Sequence, residues 1–233
     1  MPKKLNLIII LPAFNEAEII GRVLADLKKV LSGFKNFESK IAVIDDGSWD
    51  KTAQVAEKNN AIVLHHVINR GLGGALQTGL EYARMKKADI CVTMDSDGQH
   101  DPYDLKLMID PILQKKADVV IGSRFLRKDN LIPCLRKIIL KVSNLLTFFL
   151  FRVYTTDSQS GFRAFSQKAI KKIKLRTQRM EVSSELFQQI KKNKLRFKEV
   201  PILVFYTAYS RQKGQTNLNG IKVLLKLVLR LAR

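Results

Sequence analysis

The chain has 233 residues, 46% of them hydrophobic, which fits one large soluble globular domain with its own core. Its two cysteines, Cys91 and Cys134, form no disulfide or metal-binding spacing, so a disulfide scaffold is excluded and a reducing compartment is expected. The net charge of +20 is confined to one half: residues 1–123 carry 16 Lys+Arg against 16 Asp+Glu, whereas residues 124–233 carry 25 against 5, which calls for an anionic partner, nucleic acid or an anionic membrane surface.

The N-terminus runs straight into an apolar strand at residues 7–11, so no signal peptide is expected. Helical periodicity follows at residues 16–31. A second strand at 41–44 ends in Asp45-Asp46-Gly47-Ser48. A helix at 50–58, a strand at 61–64 and a helix at 73–85 come next. The apolar run 88–94 predicts a buried strand that holds Cys91 and ends at Asp95. A helix near 103–114 and a strand at 118–121 close the first half. This βαβα alternation predicts an α/β fold, a mostly parallel sheet with helices on both faces. The polar clusters at Asn15-Glu16, 45–48 and 95–99 fall just after strands, where open α/β sheets bind ligands.

The second half is less regular. Residues 135–154 predict an apolar helix interrupted by Arg136, Lys137, Lys141 and Arg152. Its longest charge-free run, residues 142–151, spans 10 positions, too short to cross a bilayer; a buried helix and an interfacial helix both remain open. A helix at 180–192 and a strand within 195–205 follow. Residues 218–233 predict an amphipathic helix in which Lys222, Lys226, Arg230 and Arg233 form one stripe, as in a helix lying in a membrane surface or packed on the core with a solvated edge.

The segment Asp95-Ser96-Asp97-Gly98-Gln99-His100 is the richest in chemistry. In extended backbone Asp95, Asp97 and Gln99 would share one side, and hard divalent cations such as Mg²⁺ or Mn²⁺ prefer such oxygen donors. A polar turn is the competing reading. An EF-hand is excluded, because its sixth and twelfth positions hold His100 and Lys106. Neither Gly-x-Gly-x-x-Gly nor Gly-x₄-Gly-Lys-[Ser/Thr] occurs; Leu76 stands where Gly71-Leu72-Gly73-Gly74 would need its third glycine. A nucleotide fold without a phosphate loop leaves phosphate neutralisation to a metal.

Taken together, these motifs resemble family 2 glycosyltransferases of the GT-A fold, and more narrowly the dolichyl- and polyprenyl-phosphate sugar transferases. The resemblance is carried along nearly the whole chain by Pro12-Ala13-Phe14-Asn15-Glu16, Ile44-Asp45-Asp46-Gly47-Ser48, Asn69-Arg70-Gly71-Leu72-Gly73-Gly74-Ala75, Met94 to Pro102, Gly122-Ser123-Arg124, Asp157 to Arg163, Glu199-Val200-Pro201-Ile202, and Arg211-x-x-Gly214-x-Thr216. Two positions depart from it. Asn217 replaces a lysine that would neutralise the donor diphosphate, shifting that load to Arg211 or Lys213, and Leu140 replaces a serine of the acceptor helix.

The resemblance implies a GT-A catalytic domain over residues 1–216, with a nucleotide-sugar half at 1–123 and an acceptor half at 124–216, followed by the basic helix 217–233. It implies metal-dependent, inverting transfer of a hexose from a nucleotide-diphosphate sugar, GDP-mannose ahead of UDP-glucose, to a polyprenyl or dolichyl phosphate. Pro12, Phe14, Glu16, Ile44, Asp46, Asp95, Ser96, Asp97 and Arg211 would bind the donor, and Asp95, Asp97 and Gln99 the Mg²⁺ or Mn²⁺. Arg124, Arg136 and Arg163 would bind the acceptor; Asp97, Asp157 and Arg124 would be catalytic, Asp157 by orienting acceptor or sugar. A phosphate nucleophile, with a second pKa of about 6, needs no strong base at neutral pH. The expected location is the cytoplasmic face of an anionic membrane, as a peripheral protein, a surface that also allows a membrane-protein partner. A saccharide or protein acceptor would need a base for its hydroxyl and leaves the basic half unexplained. A nucleic-acid module has only the charge in its favour, with no aromatic-interleaved basic motif.

Overall fold

In chain order the elements are β1 (Leu5–Ala13), α1 (Ile20–Leu31), β2 (Phe37–Asp45), α2 (Thr52–Lys58), β3 (Ile62–His65), α3 (Leu72–Met85), β4 (Ile90–Thr93), α4 (Leu105–Leu113), β5 (Val119–Ser123), α5 (Cys134–Phe151), β6 (Arg163–Ser166), α6 (Gln167–Lys172), α7 (Val182–Lys192) and β7 (Phe197–Pro201). They come from a computed structural model that describes residues 3–179, 181–207 and 209. Arg211, Lys213, Asn217 and the helix expected at 218–233 lie outside the described residues.

One sheet holds all seven strands in the order β3-β2-β1-β4-β6-β5-β7. β1 is central and covered on both faces, which is why its sequence is a continuous apolar run. Leu7, Ile9 and Leu11 join the core layer containing residues of α1 and α4; Ile8 and Ile10 join the opposite layer with residues of α3, α6 and α7. Helix α3 approaches the sheet closely at Gly79, where a Cβ would lie 2.4 Å from the Ile10 side chain.

The expected parallel sheet is present with one exception. β6 runs antiparallel to both β4 and β5. The segment 157–163 reads as a loop in the sequence, and Arg163 instead opens this strand. Four residues, Arg-Ala-Phe-Ser, are too few for a period-2 signal. The reversal matters for the site. The amino end of an antiparallel strand lies at the carboxyl edge of its parallel neighbours, and Thr93 pairs with Arg163 there. The loop before β6 is thereby delivered to the same edge as the loops after β1, β2, β4 and β5.

Candidate active site

At the first part of this edge, the loops after β1 and β2 brace each other. The Asn15 amide donates to Ser48 Oγ at 2.9 Å, and the Trp49 amide donates to Asn15 Oδ1 at 3.0 Å. The Glu16 amide donates to Thr52 Oγ1 at 2.7 Å, and the Ala17 amide to Asp50 Oδ2 at 3.1 Å. Asn15 takes a left-handed φ of 56°, which a short amide side chain tolerates. Phe14 packs edge-on against the exposed Trp49, with ring centroids 5.0 Å apart. Tyr209 donates its hydroxyl to Glu16 Oε2 at 2.5 Å. Burial, then the bond to Glu16 and its charge, push the Tyr209 phenol upward.

Two donor-site expectations need correction here. Ile44 is fully buried in the hydrophobic core, so its side chain cannot touch a ligand. Asp46 is also buried, and its carboxylate is already bonded: it accepts from the Arg70 and Gly71 amides at 2.9 and 2.7 Å and pairs with His66 Nδ1 at 2.7 Å. Asp46 therefore fixes the loop that opens α3. The α3 N-terminus does not present a free anion cradle either, since Gly74 donates its amide to the Gln178 carbonyl at 3.0 Å. A Cβ on Gly73 would lie 2.0 Å from the Thr177 carbonyl oxygen.

The carboxylate segment differs from the extended arrangement expected of it. β4 ends at Thr93, and residues 95–100 form a loop that turns at Gly98, φ +72°. Asp95 and Asp97 stay close enough to interact by charge, and Gln99 lies directly against Asp97. It is buried, and its amide donates to Asp97 Oδ2 at 2.6 Å while its backbone N–H donates to Oδ1 at 3.0 Å. Ser96 is likewise turned inward, donating to the Pro12 carbonyl at 2.7 Å, so Ser96 and Pro12 tie the β1 and β4 loops together. Asp95 meets His100 Nε2 at 3.1 Å. Burial acts to raise Asp95, but the His100 bond and the charges of His100, Arg163 and Arg124 outweigh it and hold the carboxyl below its usual range. Asp97 is pushed up, first by burial and then by the charge of Asp95.

Opposite this pair lie three guanidinium groups. Arg124 and Asp157 form a buried two-pronged ion pair, with Nε and one terminal nitrogen both at 2.6 Å from the carboxylate and the Arg124 amide donating at 3.0 Å. Asp157 is completely buried, so it orients Arg124 and cannot reach an acceptor or sugar, a correction to the role expected of it. Glu199 clamps the same loop by accepting from the Thr155 hydroxyl and the Thr156 and Asp157 amides at 2.8, 2.9 and 3.2 Å. Arg163 is buried beside Ser183, to which it donates at 2.9 Å, and its Nε has no partner; burial lowers it to about 10. Arg136 sits in the first turn of α5 with its guanidinium over the Tyr206 ring, 5.5 Å from the centroid. Burial and the neighbouring Arg124 lower its pKa, while Tyr206, Asp97 and Asp95 act against them.

The structure thus brings Asp95, Asp97, Arg124, Arg136 and Arg163 to one centre, with Phe14 and Glu16 further along the same edge. His100 closes the same motif as Asp95 and Asp97 but carried no assigned role; it pairs with Asp95 and packs at a tilt against Phe162, ring centroids 5.3 Å apart. The sequence did not single out Asn130, which bonds the Arg124 and Ile202 carbonyls at 2.8 Å each, or Tyr206 beneath Arg136. Among the described residues no three His, Cys, Asp or Glu side chains converge as a metal cage. The Asp95–Asp97 pair nonetheless fits a divalent cation that takes its other oxygens from a ligand. Burial and then the charge of Asp95 raise Asp97, a load that a cation would relieve, and Gly161 leaves the space that a Cβ, 2.2 Å from Asp95 Oδ1, would fill.

Comparison with known proteins agrees with this geometry. The profile of glycosyl transferase family 2 matches residues 8–174. An uncharacterized protein of Methanocaldococcus jannaschii is 44% identical over 228 residues, covering 96% of this chain and 91% of that protein. A UDP-N-acetylglucosamine–dolichyl-phosphate N-acetylglucosaminyltransferase of Methanococcus voltae is 36% identical, covering 95% of this chain and 94% of its own. Glucosyl-3-phosphoglycerate synthase from Mycobacterium tuberculosis, crystallised with Mn²⁺, UDP and phosphoglyceric acid, superposes with a TM-score of 0.69 at 18% identity, over 95% of this chain and 78% of that one.

Proposed function

The chain belongs to glycosyl transferase family 2 and has the GT-A fold, and from that premise we propose that it transfers a sugar from a nucleotide diphosphate to the phosphate of a polyprenol or dolichol at a membrane surface. One observation carries this choice of acceptor. Three guanidiniums lie beside the Asp95–Asp97 pair, while the carboxylates on their side, Asp157 and Glu199, are committed to holding the protein's own loop. Such a centre suits an acceptor that is already anionic, and offers no carboxylate there to deprotonate a hydroxyl.

In this reading Pro12, Phe14 and Glu16 flank the nucleoside. Asp95, Asp97 and Gln99 would hold a divalent cation, Mg²⁺ or Mn²⁺, with the Gln99 amide lying against Asp97. When bound, that cation would neutralise the diphosphate and stabilise it as a leaving group. Arg124, held in place by Asp157, receives the acceptor phosphate together with Arg136 and Arg163 through charge-assisted hydrogen bonds. The acceptor oxygen attacks the anomeric carbon as the bond to the nucleotide breaks, a single displacement that inverts configuration. Residues 1–216 form the catalytic domain, and Arg211 completes the donor site.

For the sugar, the relative named as an N-acetylglucosaminyltransferase covers nearly the whole chain, which favours UDP-N-acetylglucosamine. The motif resemblance favours GDP-mannose as the second candidate, with UDP-glucose behind it. No helix among the described residues is long and apolar enough to cross a membrane. The test is direct transfer. Purified protein with Mn²⁺, a short-chain polyprenyl phosphate in detergent and each labelled nucleotide sugar in turn should yield an organic-extractable glycosyl phospholipid with one donor. Transfer to a saccharide or protein instead, with none to the lipid phosphate, overturns the reading.

A further inference from the structure

The segment that follows β7 crosses the carboxyl edge of the sheet as a fixed strap. The Leu203 amide donates to Asp104 Oδ2 at 2.6 Å, the Val204 amide to Asn130 Oδ1 at 2.9 Å and the Phe205 amide to the Gln99 carbonyl at 2.8 Å. Asn130 in turn donates its side-chain amide to the Arg124 and Ile202 carbonyls. Three successive backbone donors are thus tied to the loop of the carboxylate pair and to the loop between Arg124 and α5. The next residue is Tyr206. Its ring packs against the core layer that contains residues of α1 and α4, and the Arg136 guanidinium lies over it.

The frame leaves the Tyr206 hydroxyl unexplained. That oxygen is closed off from solvent and has no hydrogen-bond partner among the described residues. A buried hydroxyl without a partner is costly, and native structures pair nearly all such groups. The neighbours of this one are mostly cationic: Arg136 and Arg124 both stand within electrostatic reach of the phenol. A guanidinium offers donors and no acceptor, so neither can receive the phenolic proton. The carboxylates of the centre are bonded elsewhere, Asp95 to His100, Asp97 to Gln99 and Asp157 to Arg124. The phenol is therefore a donor that the protein itself does not use, set beside two cations.

We propose that Tyr206 is an acceptor-binding residue whose hydroxyl donates to an oxygen of a phosphate monoester held by Arg124 and Arg136. This role rests on the acceptor reading above and deepens it. Asp157 occupies Nε and one terminal nitrogen of Arg124, which leaves that guanidinium little more than its other terminal nitrogen for a ligand, so a third donor carries weight. The terminal phosphate has three free oxygens and accepts from both guanidiniums and the phenol together, each bond strengthened by its charge. A hydroxyl acceptor has one oxygen with two lone pairs and cannot serve all three donors. The strap holds Tyr206 through the amides of its neighbours, so the hydroxyl is free to serve a ligand without a part in the frame.

Tyr206→Phe tests the role, because it removes the hydroxyl and keeps the ring under Arg136. Binding is read from the rise in Tm caused by a short-chain polyprenyl phosphate in detergent, by inorganic phosphate, and by UDP-N-acetylglucosamine or GDP-mannose with Mn²⁺. Without ligand the variant should melt at the wild-type temperature or slightly above it, since the hydroxyl has no partner to lose. The polyprenyl phosphate concentration that gives half the full shift should rise roughly tenfold, with nucleotide-sugar affinity unchanged. A parallel loss for inorganic phosphate supports recognition of the phosphate group alone; a loss confined to the polyprenyl ester supports recognition of the lipid headgroup. Unchanged affinity for both phosphates overturns the proposal, as does a wild type that neither phosphate stabilises. A ligand-free Tm lowered by several degrees also overturns it, because the hydroxyl then belongs to the fold, and so does a loss of nucleotide-sugar affinity, which moves Tyr206 to the donor side. The measurement involves no transfer. A protein that glycosylates a saccharide would overturn the acceptor reading and leave the Tyr206 result standing, so the two fail separately.

Discussion

The two halves of this molecule fix their parts of the site by opposite means. In the first half, short polar side chains and backbone amides lace one loop to the next: Ser48 to Asn15, Thr52 to Glu16, Asp46 to Arg70 and Gly71. In the second half, one buried ion pair does most of the positioning, Arg124 with Asp157, and Glu199 fastens the loop around it. The distributed mesh tolerates the loss of any one bond, about 1 kcal/mol each, whereas a buried pair that loses one member leaves an uncompensated charge.

That contrast can be broken first at Asp157. Asp157→Ala should destabilise the fold by about 3–5 kcal/mol in urea unfolding, because Arg124 would remain charged and buried. A cost near that of a single first-half bond, such as Ser48→Ala, would erase the distinction. Asp97→Asn should not destabilise the metal-free fold, since it removes a buried charge that Asp95 repels, and it should lower sugar transfer by roughly a thousandfold, because the cation's several kcal/mol of charge stabilisation would be lost. Full activity of that variant, or of wild type in excess EDTA, would remove the metal from the proposal.

Arg136→Ala sharpens the comparison on the acceptor side. It removes one charge-assisted contact of about 1.5–3 kcal/mol, so the KM for polyprenyl phosphate should rise roughly tenfold to a hundredfold with donor affinity unchanged. A collapse of donor binding instead would assign Arg136 to the first half's ligand.

The smallest effect expected is a pH dependence of cation-induced stabilisation. Burial and Asp95 raise Asp97 above its unfolded value, so the folded state binds its proton more tightly. Stability of the metal-free protein should therefore fall as pH rises through the window between the unfolded and the raised value. Above that window Asp97 is ionised and a cation relieves the repulsion; below it Asp97 is protonated and affinity is lost. The shift in Tm on adding Mn²⁺ should grow as pH rises through the same window, and a shift independent of pH would place the cation elsewhere.

Most of the architecture follows from patterning alone. Strands β1 to β5 and helices α1 to α5 stand close to where apolar runs and helical periodicity put them, and the polar clusters do follow the strands. The identity of the site's charged residues was legible too, because Asp95, Asp97, Arg124, Arg136 and Arg163 all sit in recognisable local motifs. Tertiary structure alone decided what each does. Asp157 and Arg124 are 33 residues apart and Glu199 is a further 42 from Asp157, and no local pattern announces that they will neutralise and fasten one another. Ile44, Asp46 and Ser96 looked like ligands of a substrate because they stand in the right loops. Local sequence fixes which loop a residue occupies, but the direction of its side chain depends on what the neighbouring loop offers: a carbonyl for Ser96, two amides for Asp46, a carboxylate for Gln99, a hydrophobic core for Ile44. The same holds for α5, whose apolar periodicity allowed either a core or an interfacial helix. Only the packing showed that Ser143 and Thr147 face inward with Leu140 while Leu135, Leu145 and Phe149 face outward, because burial is a property of the neighbours a helix meets and not of the helix itself.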